Sequence, residues 1–255
     1  MGTLLQHVDM PTLIAATLAA ISIGLAKGGL QSAGMLAVPI LSLAMPTMAA
    51  AAMLLPIFII SDVFGVWAFR RSYDAWNLRV LIPSALAGVV IGWLTASVVS
   101  AAAVNLIVGG LGLAYCASSA LKAWAGAALA SRAPASVAAG WCWGVLSGFT
   151  SFVSHAGAPA FQIFVLPQRL APMAYAGTAA ILFAVVNAAK LAPYWALGEF
   201  DVLRPEALAV VPVAIASTFL GVHLVKTLPT RLFFRIVETL LLLVSLKLVL
   251  DGAGL

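Results

Sequence analysis

The 255-residue sequence has few charged residues and contains no nucleotide-binding motif. Asp, Glu, Lys and Arg make up 8% of the chain, whereas 64% of it is hydrophobic. A soluble globular protein is about a quarter charged, so this chain has too little polar surface to face water on all sides. The composition excludes an ordinary soluble protein and predicts a polytopic membrane protein. The net charge of +5 includes no compact basic run, so it gives no indication of nucleic-acid binding.

Cysteine is also scarce. Cys116 and Cys142 both lie in apolar runs, and a disulfide framework or a zinc site needs more cysteines in a polar context. We therefore expect no metal and no cofactor. Because no P-loop is present, ATP hydrolysis would require a partner protein.

Long apolar runs predict the membrane spans. A bilayer core is about 30 Å thick, so a crossing helix needs roughly 20 apolar residues. Two runs, 12–26 and 137–152, are slightly short, and two others, 32–44 and 157–166, are short enough to reach only half depth. The runs of full length are 48–69, 80–99, 101–121, 172–196, 207–225 and 232–250.

Basic residues between these runs predict the orientation. Lys and Arg are concentrated in three loops, which the positive-inside rule places in the cytoplasm; these residues are Arg70, Arg71, Arg79, Lys122, Arg132, Lys226, Arg231 and Arg235. Asp9, the turn at Ser100, the loop 199–206 and Asp251 are then expected outside. Arg169 is the one exception, because its predicted position is near the outer side.

Two parts of the chain contain similar segments, and these segments follow one another in the same order. LIPSALAGVVIGW around Pro83 resembles VVPVAIASTFLGV around Pro212, and a second alignment pairs Asp62 with Asn187. A ladder of small residues and a glycine-rich break, KGGLQSAG or SHAGAP, precede each copy. We predict a duplication with repeats at 1–133 and 134–255, each of about five segments. Because five is odd, the second repeat is expected to be inverted, as in many secondary transporters.

Each repeat contains a helix interrupted at its glycine-rich break. Polar backbone at membrane depth is tolerated only where protein or a water-filled cavity satisfies it. A helix that starts at such a break points N–H groups and its positive dipole end toward the interruption. We expect the two starts to converge on one anion site, with further donors from Gln31, Ser32, Ser151 and Ser154.

With these breaks, and the stretch RRSYDAWNLRVLIPSALAGVVIGW at 70–93, nearly the whole chain resembles the TauE/SafE sulfite exporter family of bacterial membrane transporters. The resemblance implies a multi-pass protein of the bacterial inner membrane. It also implies export or uptake of a small sulfur-containing anion, such as sulfite, sulfoacetate or another organosulfonate.

The ionisable residues within apolar segments each have two interpretations. Lys27, at the first break, is either a counter-charge for the substrate or a lysine that snorkels to the interface. Lys190 has the same alternatives. Asp62 would carry a coupling proton or hold a lysine in place, and His155 would bind substrate, carry a proton or be structural. The predicted substrate-binding residues are Lys27, Gly28, Gly29, Gln31, Ser32, Ser151, Ser154, His155, Gly157 and Lys190, with Asp62 and His155 as coupling candidates.

Three classes of function are compatible with an apolar chain of this kind. The favoured one is a secondary transporter that exports the anion by alternating access. An anion channel or a structural membrane subunit is the alternative. An intramembrane enzyme is less favoured, because the sequence has no GxSxG or HExxH motif and Asp62 aligns with Asn187 rather than with a second aspartate. The expected partners are the anion and the lipid bilayer, with a homo-oligomer left open.

Overall fold

The computed structural model describes residues 10–45, 47–95, 98–124, 136–196 and 205–254. Within these ranges the chain contains no strand and forms α-helices joined by short connections, with 3-10 helices at Gln31–Leu36 and Leu166–Gln168. The helices are α1 (Met10–Lys27), α2 (Ala37–Ser42), α3 (Thr47–Phe69), α4 (Ala75–Thr95), α5 (Ala101–Trp124), α6 (Val137–Ser154), α7 (Gly157–Val165), α8 (Pro172–Ala196), α9 (Pro205–Thr227) and α10 (Thr230–Ala253). Among the described helices, α1, α4, α5, α6, α8 and α9 are long and apolar enough to cross a membrane. The prediction of an all-α polytopic membrane protein is confirmed.

The predicted segments coincide with helices, but the helices that are long and apolar enough to cross a membrane include α1 and α6, from the runs expected to be slightly short, and do not include α10, from the run 232–250. Helix α4 begins at Ala75 rather than at the predicted residue 80, because Asp74 caps it: the carboxylate of Asp74 accepts a hydrogen bond from the Asn77 backbone N–H at 2.8 Å. Three residues used in the topology prediction, Asp9, Arg132 and Glu199, lie outside the described residues.

The chain divides into two compact units that interleave along the sequence. Unit 1 comprises Met1–Tyr73 and Ala176–Leu228, and unit 2 comprises Asp74–Tyr175 and Pro229–Leu255. Each unit takes helices from both predicted repeats. The repeat boundaries at 1–133 and 134–255 therefore stay a prediction from the sequence.

In unit 1, small residues bring α1 and α9 into close contact. A Cβ atom at Gly24 would clash with the backbone oxygen of Ala214 and lie 2.5 Å from the Cβ of Ser217. A Cβ at Gly28 would lie 2.5 Å from the Cα of Gly221. Such small-residue contacts allow helices to pack where no hydrophobic effect drives them together.

Unit 2 repeats this pattern between α6 and α4. Gly148 lies against the backbone oxygen of Ala85 as Gly24 lies against that of Ala214. The alignment of Pro83 with Pro212 pairs Ala85 with Ala214. Each of these two alanines therefore packs against a glycine of the helix that precedes a break, which is α6 for Ala85 and α1 for Ala214. This shared packing supports the predicted duplication, whereas the opposite orientation of the two repeats stays a prediction.

Helices α6 and α7 form a hairpin within unit 2. A Cβ at Gly140, near the start of α6, would lie 3.1 Å from the ring of Phe164, near the end of α7. The same ring stacks on Trp76 at the start of α4, with centroids 6.5 Å apart. Close by, Asn77 and Gln168 exchange side-chain hydrogen bonds of 2.8 and 3.1 Å. The chain therefore returns, after the break, to the end of unit 2 at which α4 and α6 begin.

The hairpin determines at which end of unit 2 Arg169 lies. This residue follows Gln168 directly, so it lies at the end of unit 2 where α4 begins, near Arg79, which the positive-inside rule places in the cytoplasm. The sequence expectation placed Arg169 near the outer side, whereas the hairpin brings it to the same end of unit 2 as Asn77. On which side of the membrane this end lies stays a prediction.

Unit 1 shows a related arrangement around its own break. Helix α2 packs against α1, and Leu41 of α2 shares a hydrophobic cluster with Ala15 and Ala16 near the start of α1. The cluster also includes Ala50 near the start of α3 and Ala207 near the start of α9. The chain thus comes back toward the start of α1 before α3 begins.

The close α1–α9 contact predicts a large difference between two glycine replacements. Gly24→Ala should destabilise the purified protein by about 1–3 kcal/mol, because the new methyl group overlaps backbone that cannot rotate away. Gly110→Ala is the matched control: a Cβ at Gly110 meets no atom within 4 Å, and alanine favours a helix by about 1 kcal/mol over glycine. Thermal unfolding in detergent measures both. Equal losses in the two variants would contradict the packing.

Candidate functional site

The first break is a short connection in unit 1 that only a small, flexible residue can form. Helix α1 ends at Lys27, and Gly28, Gly29 and Leu30 lead into the 3-10 helix that begins at Gln31. Gly29 has φ +120, a conformation that side-chain-bearing residues rarely adopt. The prediction of an interrupted helix here is confirmed. The segment that follows is a 3-10 helix before it becomes α2.

Lys27 and Asp62 form a buried ion pair at this break. The Lys27 Nζ and Asp62 Oδ1 atoms are 2.6 Å apart, and their side chains are 4% and 6% exposed. Lys27 Nζ also lies 5.2 Å from the centroid of the Phe58 ring. The lysine is thus turned into unit 1 rather than snorkelling toward an interface, and of the two interpretations of Asp62, holding a lysine in place agrees with the contact.

Asn187 completes the surroundings of Asp62. Its amide Nδ2 donates a hydrogen bond of 2.8 Å to Asp62 Oδ2, whereas Oδ1 lies against the Lys27 ammonium group. The repeat alignment paired Asp62 with Asn187 as equivalent positions, and the structure shows them in direct contact between α3 and α8. Charge-assisted hydrogen bonds of this kind are stronger than neutral ones, and they fix the carboxylate in place.

Lys190 adds a second cation. It is 1% exposed, lies one helical turn after Asn187 on α8, and is within electrostatic reach of both Asp62 and Lys27. Over the described ranges, Lys27, Asp62 and Lys190 are the charged residues that are buried. We call them the charge cluster. With both lysines protonated and the aspartate ionised, it holds two positive charges and one negative charge.

Two buried donors close in sequence to Lys27 and Asp62 have no hydrogen-bond partner among the described residues. They are Gln31 Nε2, at the start of the 3-10 helix, and Ser61 Oγ, next to Asp62 on α3. Phe58 and Gly65, which lie about one helical turn before and after Ser61, both contact Lys27: its Nζ lies near the Phe58 ring, and a Cβ at Gly65 would lie 2.8 Å from its backbone oxygen. A buried unsatisfied donor costs about 1–3 kcal/mol. Such groups in a native structure call for an explanation, and a bound ligand is one.

Two other candidates at the first break, Gly28 and Ser32, already make contacts within the protein. Gly28 packs against α9, as described above. Ser32 is 1% exposed and takes part in an interaction within the protein.

The second break lies in unit 2 and is stabilised by hydroxyl groups. Helix α6 ends at Ser154, and His155 adopts a left-handed conformation with φ 53. The Thr150 backbone oxygen accepts from the Ala156 N–H at 3.1 Å, and the Thr150 hydroxyl donates to the Ala156 oxygen at 3.0 Å. The Ser147 hydroxyl donates to the Gly157 oxygen at 2.9 Å. This break is also confirmed.

The predicted residues at the second break differ in their surroundings. Ser151 is 4% exposed, and Ser154 donates to the Thr150 oxygen at 3.3 Å. His155 occupies a backbone position that usually favours glycine, so a His155→Gly replacement removes the imidazole with less backbone strain than His155→Ala. Gly157 is buried at the start of α7. Substrate contact by these four residues, and convergence of the two breaks on one site, stay predictions.

Sequence reasoning found the three charged residues and missed four polar ones. Ser147 and Thr150 were passed over although they flank the second break, and Ser61 was passed over beside Asp62. Asn187 was noticed as a partner in the alignment but not as a ligand of Asp62. A hydroxyl or amide residue within one helical turn of a break or of a buried charge is the signal that would have found Ser147, Thr150 and Asn187.

Comparison with protein families agrees with this arrangement. The family model described as "Sulfite exporter TauE/SafE" matches residues 10–248, which is nearly the whole chain. Neither the comparison with curated proteins nor that with solved structures found a match. On the strength of a match that includes both breaks and the charge cluster, this chain belongs to the TauE/SafE sulfite exporter family.

Proposed function

We propose that this protein is a secondary transporter that exports a small sulfur-containing anion, such as sulfite, sulfoacetate or another organosulfonate, across the bacterial inner membrane. Membership of a sulfite exporter family supports a membrane transporter rather than an enzyme. The observation that carries the substrate class is the charge cluster beside the first break, where cations outnumber anions.

The chemistry of the site matches that of a sulfur oxyanion. The oxygens of sulfite or of a sulfonate accept hydrogen bonds and carry negative charge. Lys190, Gln31 and Ser61 supply an ammonium group, an amide N–H and a hydroxyl, and the last two have no partner of their own. Lys27 supplies a further ammonium group that is already paired with Asp62.

The Asp62 carboxylate pairs with the Lys27 ammonium group, which a substrate oxygen would also bind. Because an incoming anion competes with the carboxylate for the Lys27 ammonium group, its binding loosens the Lys27–Asp62 pair. Asn187 retains Asp62 during this exchange through the bond to Oδ2. A weaker contact between α1 and α3 would allow these helices to move, as alternating access requires. Asp62 and His155 stay the candidates for coupling to an ion gradient.

Transport by reconstituted protein tests the proposal. Full-length protein in proteoliposomes should accumulate sulfite or a small sulfonate saturably, and a proton gradient or membrane potential should drive it. Acetate, a carboxylate of similar size, is the control and should be taken up poorly. Flux that rises linearly with concentration and is independent of any gradient would instead identify an anion channel, and the absence of any sulfur-anion flux would refute the proposal.

A further inference from the structure

Unit 1 presents an exposed surface that the charge cluster does not use. It lies where α3 packs against α9, and we call it the α3–α9 surface; its side chains are Val63, Phe64, Trp67, Arg70 and Phe219. We propose that this surface binds an anionic phospholipid, whose acyl chains contact the apolar side chains and whose phosphate group contacts Arg70. The inference goes beyond the proposed function and does not depend on the identity of the transported anion.

The apolar part of the α3–α9 surface is aromatic and open. The Phe219 ring meets the Phe64 and Trp67 rings edge to face, with centroids 5.9 and 6.3 Å apart. Val63, Trp67 and Phe219 are nevertheless 63%, 56% and 41% exposed. An exposed apolar patch of this kind marks an interaction site, and tryptophan is enriched at the depth of the lipid headgroups. These side chains therefore suit the part of an acyl chain close to a headgroup.

The basic part of the surface lies at the end of unit 1 at which both helices end. A Cβ at Gly29 would lie 2.5 Å from the side chain of Val225, near the end of α9, and 3.7 Å from the ring of Phe69, the last residue of α3. Arg70 and Arg71 follow directly, and both are exposed. The positive-inside rule predicts that this end faces the cytoplasm, where the membrane leaflet carries anionic lipids. The charge at this end therefore complements an anionic headgroup.

Arg70 is held in place while several of its donors stay available. Its guanidinium carbon lies 4.8 Å from the centroid of the Trp67 ring, and its Nη1 donates a hydrogen bond to the Trp67 backbone oxygen. A guanidinium group has five N–H donors in one plane. Within the described part of the chain, no acidic side chain forms a salt bridge with Arg70. The remaining donors suit a phosphate group, and because the side chain is already ordered, binding costs less conformational entropy.

Lipid binding to the purified full-length protein tests the inference. Native mass spectrometry in detergent measures the dissociation constant of the first bound lipid, for phosphatidylglycerol and for zwitterionic phosphatidylcholine with the same acyl chains. Phosphatidylglycerol should bind about fivefold more tightly, as expected for one favourable basic contact. Inorganic phosphate should not displace it, because the apolar side chains contribute to the site. Equal affinity for the two lipids, or displacement by phosphate, would overturn the proposal.

The variant Arg70→Gln removes the proposed phosphate contact and should lose most of the preference for phosphatidylglycerol, while phosphatidylcholine binds as before. Arg235→Gln is the matched control, because Arg235 is exposed near the start of α10 and lies outside unit 1. It makes the same chemical change away from the α3–α9 surface and should keep the preference. An unchanged preference in Arg70→Gln, or an equal loss in the two variants, would rule out the assignment of the phosphate to Arg70.

Photocrosslinking locates the lipid without any variant. Phosphatidylglycerol that carries a diazirine in one acyl chain should label peptides containing Val63 or Phe219 in the wild-type protein, and an excess of unmodified phosphatidylglycerol should suppress this labelling. Labelling confined to other helices contradicts the site, and so does a second copy of the chain that covers the surface and protects it from the lipid.

The lipid site and the proposed function fail separately. A protein that transports a sulfur anion but shows no lipid preference retains the proposed function and refutes the lipid site. A protein that prefers phosphatidylglycerol through Arg70 but transports no sulfur anion supports the lipid site and refutes the proposed function alone.

Discussion

Replacement of Lys27 by methionine is expected to destabilise the protein by about 3–5 kcal/mol and to abolish transport. The loss follows from the partner left behind, because Asp62 would retain a buried carboxylate without its counter-charge. Methionine keeps much of the volume of the lysine side chain, so packing changes contribute little. Thermal or denaturant unfolding of the purified protein in detergent measures the change in stability, and proteoliposome flux measures transport.

The double variant Lys27→Met/Asp62→Asn provides the control for this result. With both charges removed, the uncompensated carboxylate is gone, and most of the lost stability should return. Transport should stay absent, because the cation has not been restored. A single variant as stable as the wild-type protein would show that the Lys27–Asp62 pair does not contribute as a buried ion pair.

Replacement of Lys190 by glutamine is expected to weaken anion binding by about 10- to 100-fold. A hydrogen bond to a charged group contributes about 1.5–3 kcal/mol, and Asp62 already has Lys27 and Asn187 as partners. Lys190 is therefore the cation most available to a ligand. Equilibrium binding of radiolabelled ethanesulfonate measures the effect, and unfolding should show a smaller loss of stability than Lys27→Met.

Lys226→Gln is the matched control for Lys190→Gln. Lys226 lies near the end of α9 in the same unit and is exposed, so its replacement makes the same chemical change away from the charge cluster. Binding should stay within about twofold of the wild-type value, since surface charges contribute little at moderate ionic strength. Equal weakening in the two variants would contradict a specific role for Lys190.

Much of the helical architecture could be predicted from the sequence, because apolar run length and glycine-rich interruptions are local signals. The runs 12–26 and 137–152 predicted α1 and α6, and both breaks were found. The return of α7 toward the start of α6 could not be predicted, since it depends on distant contacts such as Asn77 with Gln168. Without that return, the sequence does not indicate that Arg169 lies at the same end of unit 2 as Asn77.

Part of the candidate site could also be predicted, because it too is marked by local signals in the sequence. Ionisable residues in apolar runs are conspicuous, so Lys27, Asp62 and Lys190 could be identified from their positions in the sequence. The pairing of Lys27 with Asp62 depends on how α1 packs against α3, and the bond from Asn187 to Asp62 depends on how α8 meets α3. Ser61 could not be singled out, because a helical serine usually bonds a carbonyl one turn earlier, and only the structure shows its hydroxyl without a partner.

Location of a bound anion tests the central claim most directly. A crystal grown with 2-bromoethanesulfonate should show a bromine anomalous peak beside the charge cluster, with sulfonate density in contact with Lys190, Gln31 and Ser61. Peaks confined to other parts of the protein, with the Lys27–Asp62 pair unchanged and no density near Lys190, would contradict the assignment of this cluster as the anion site.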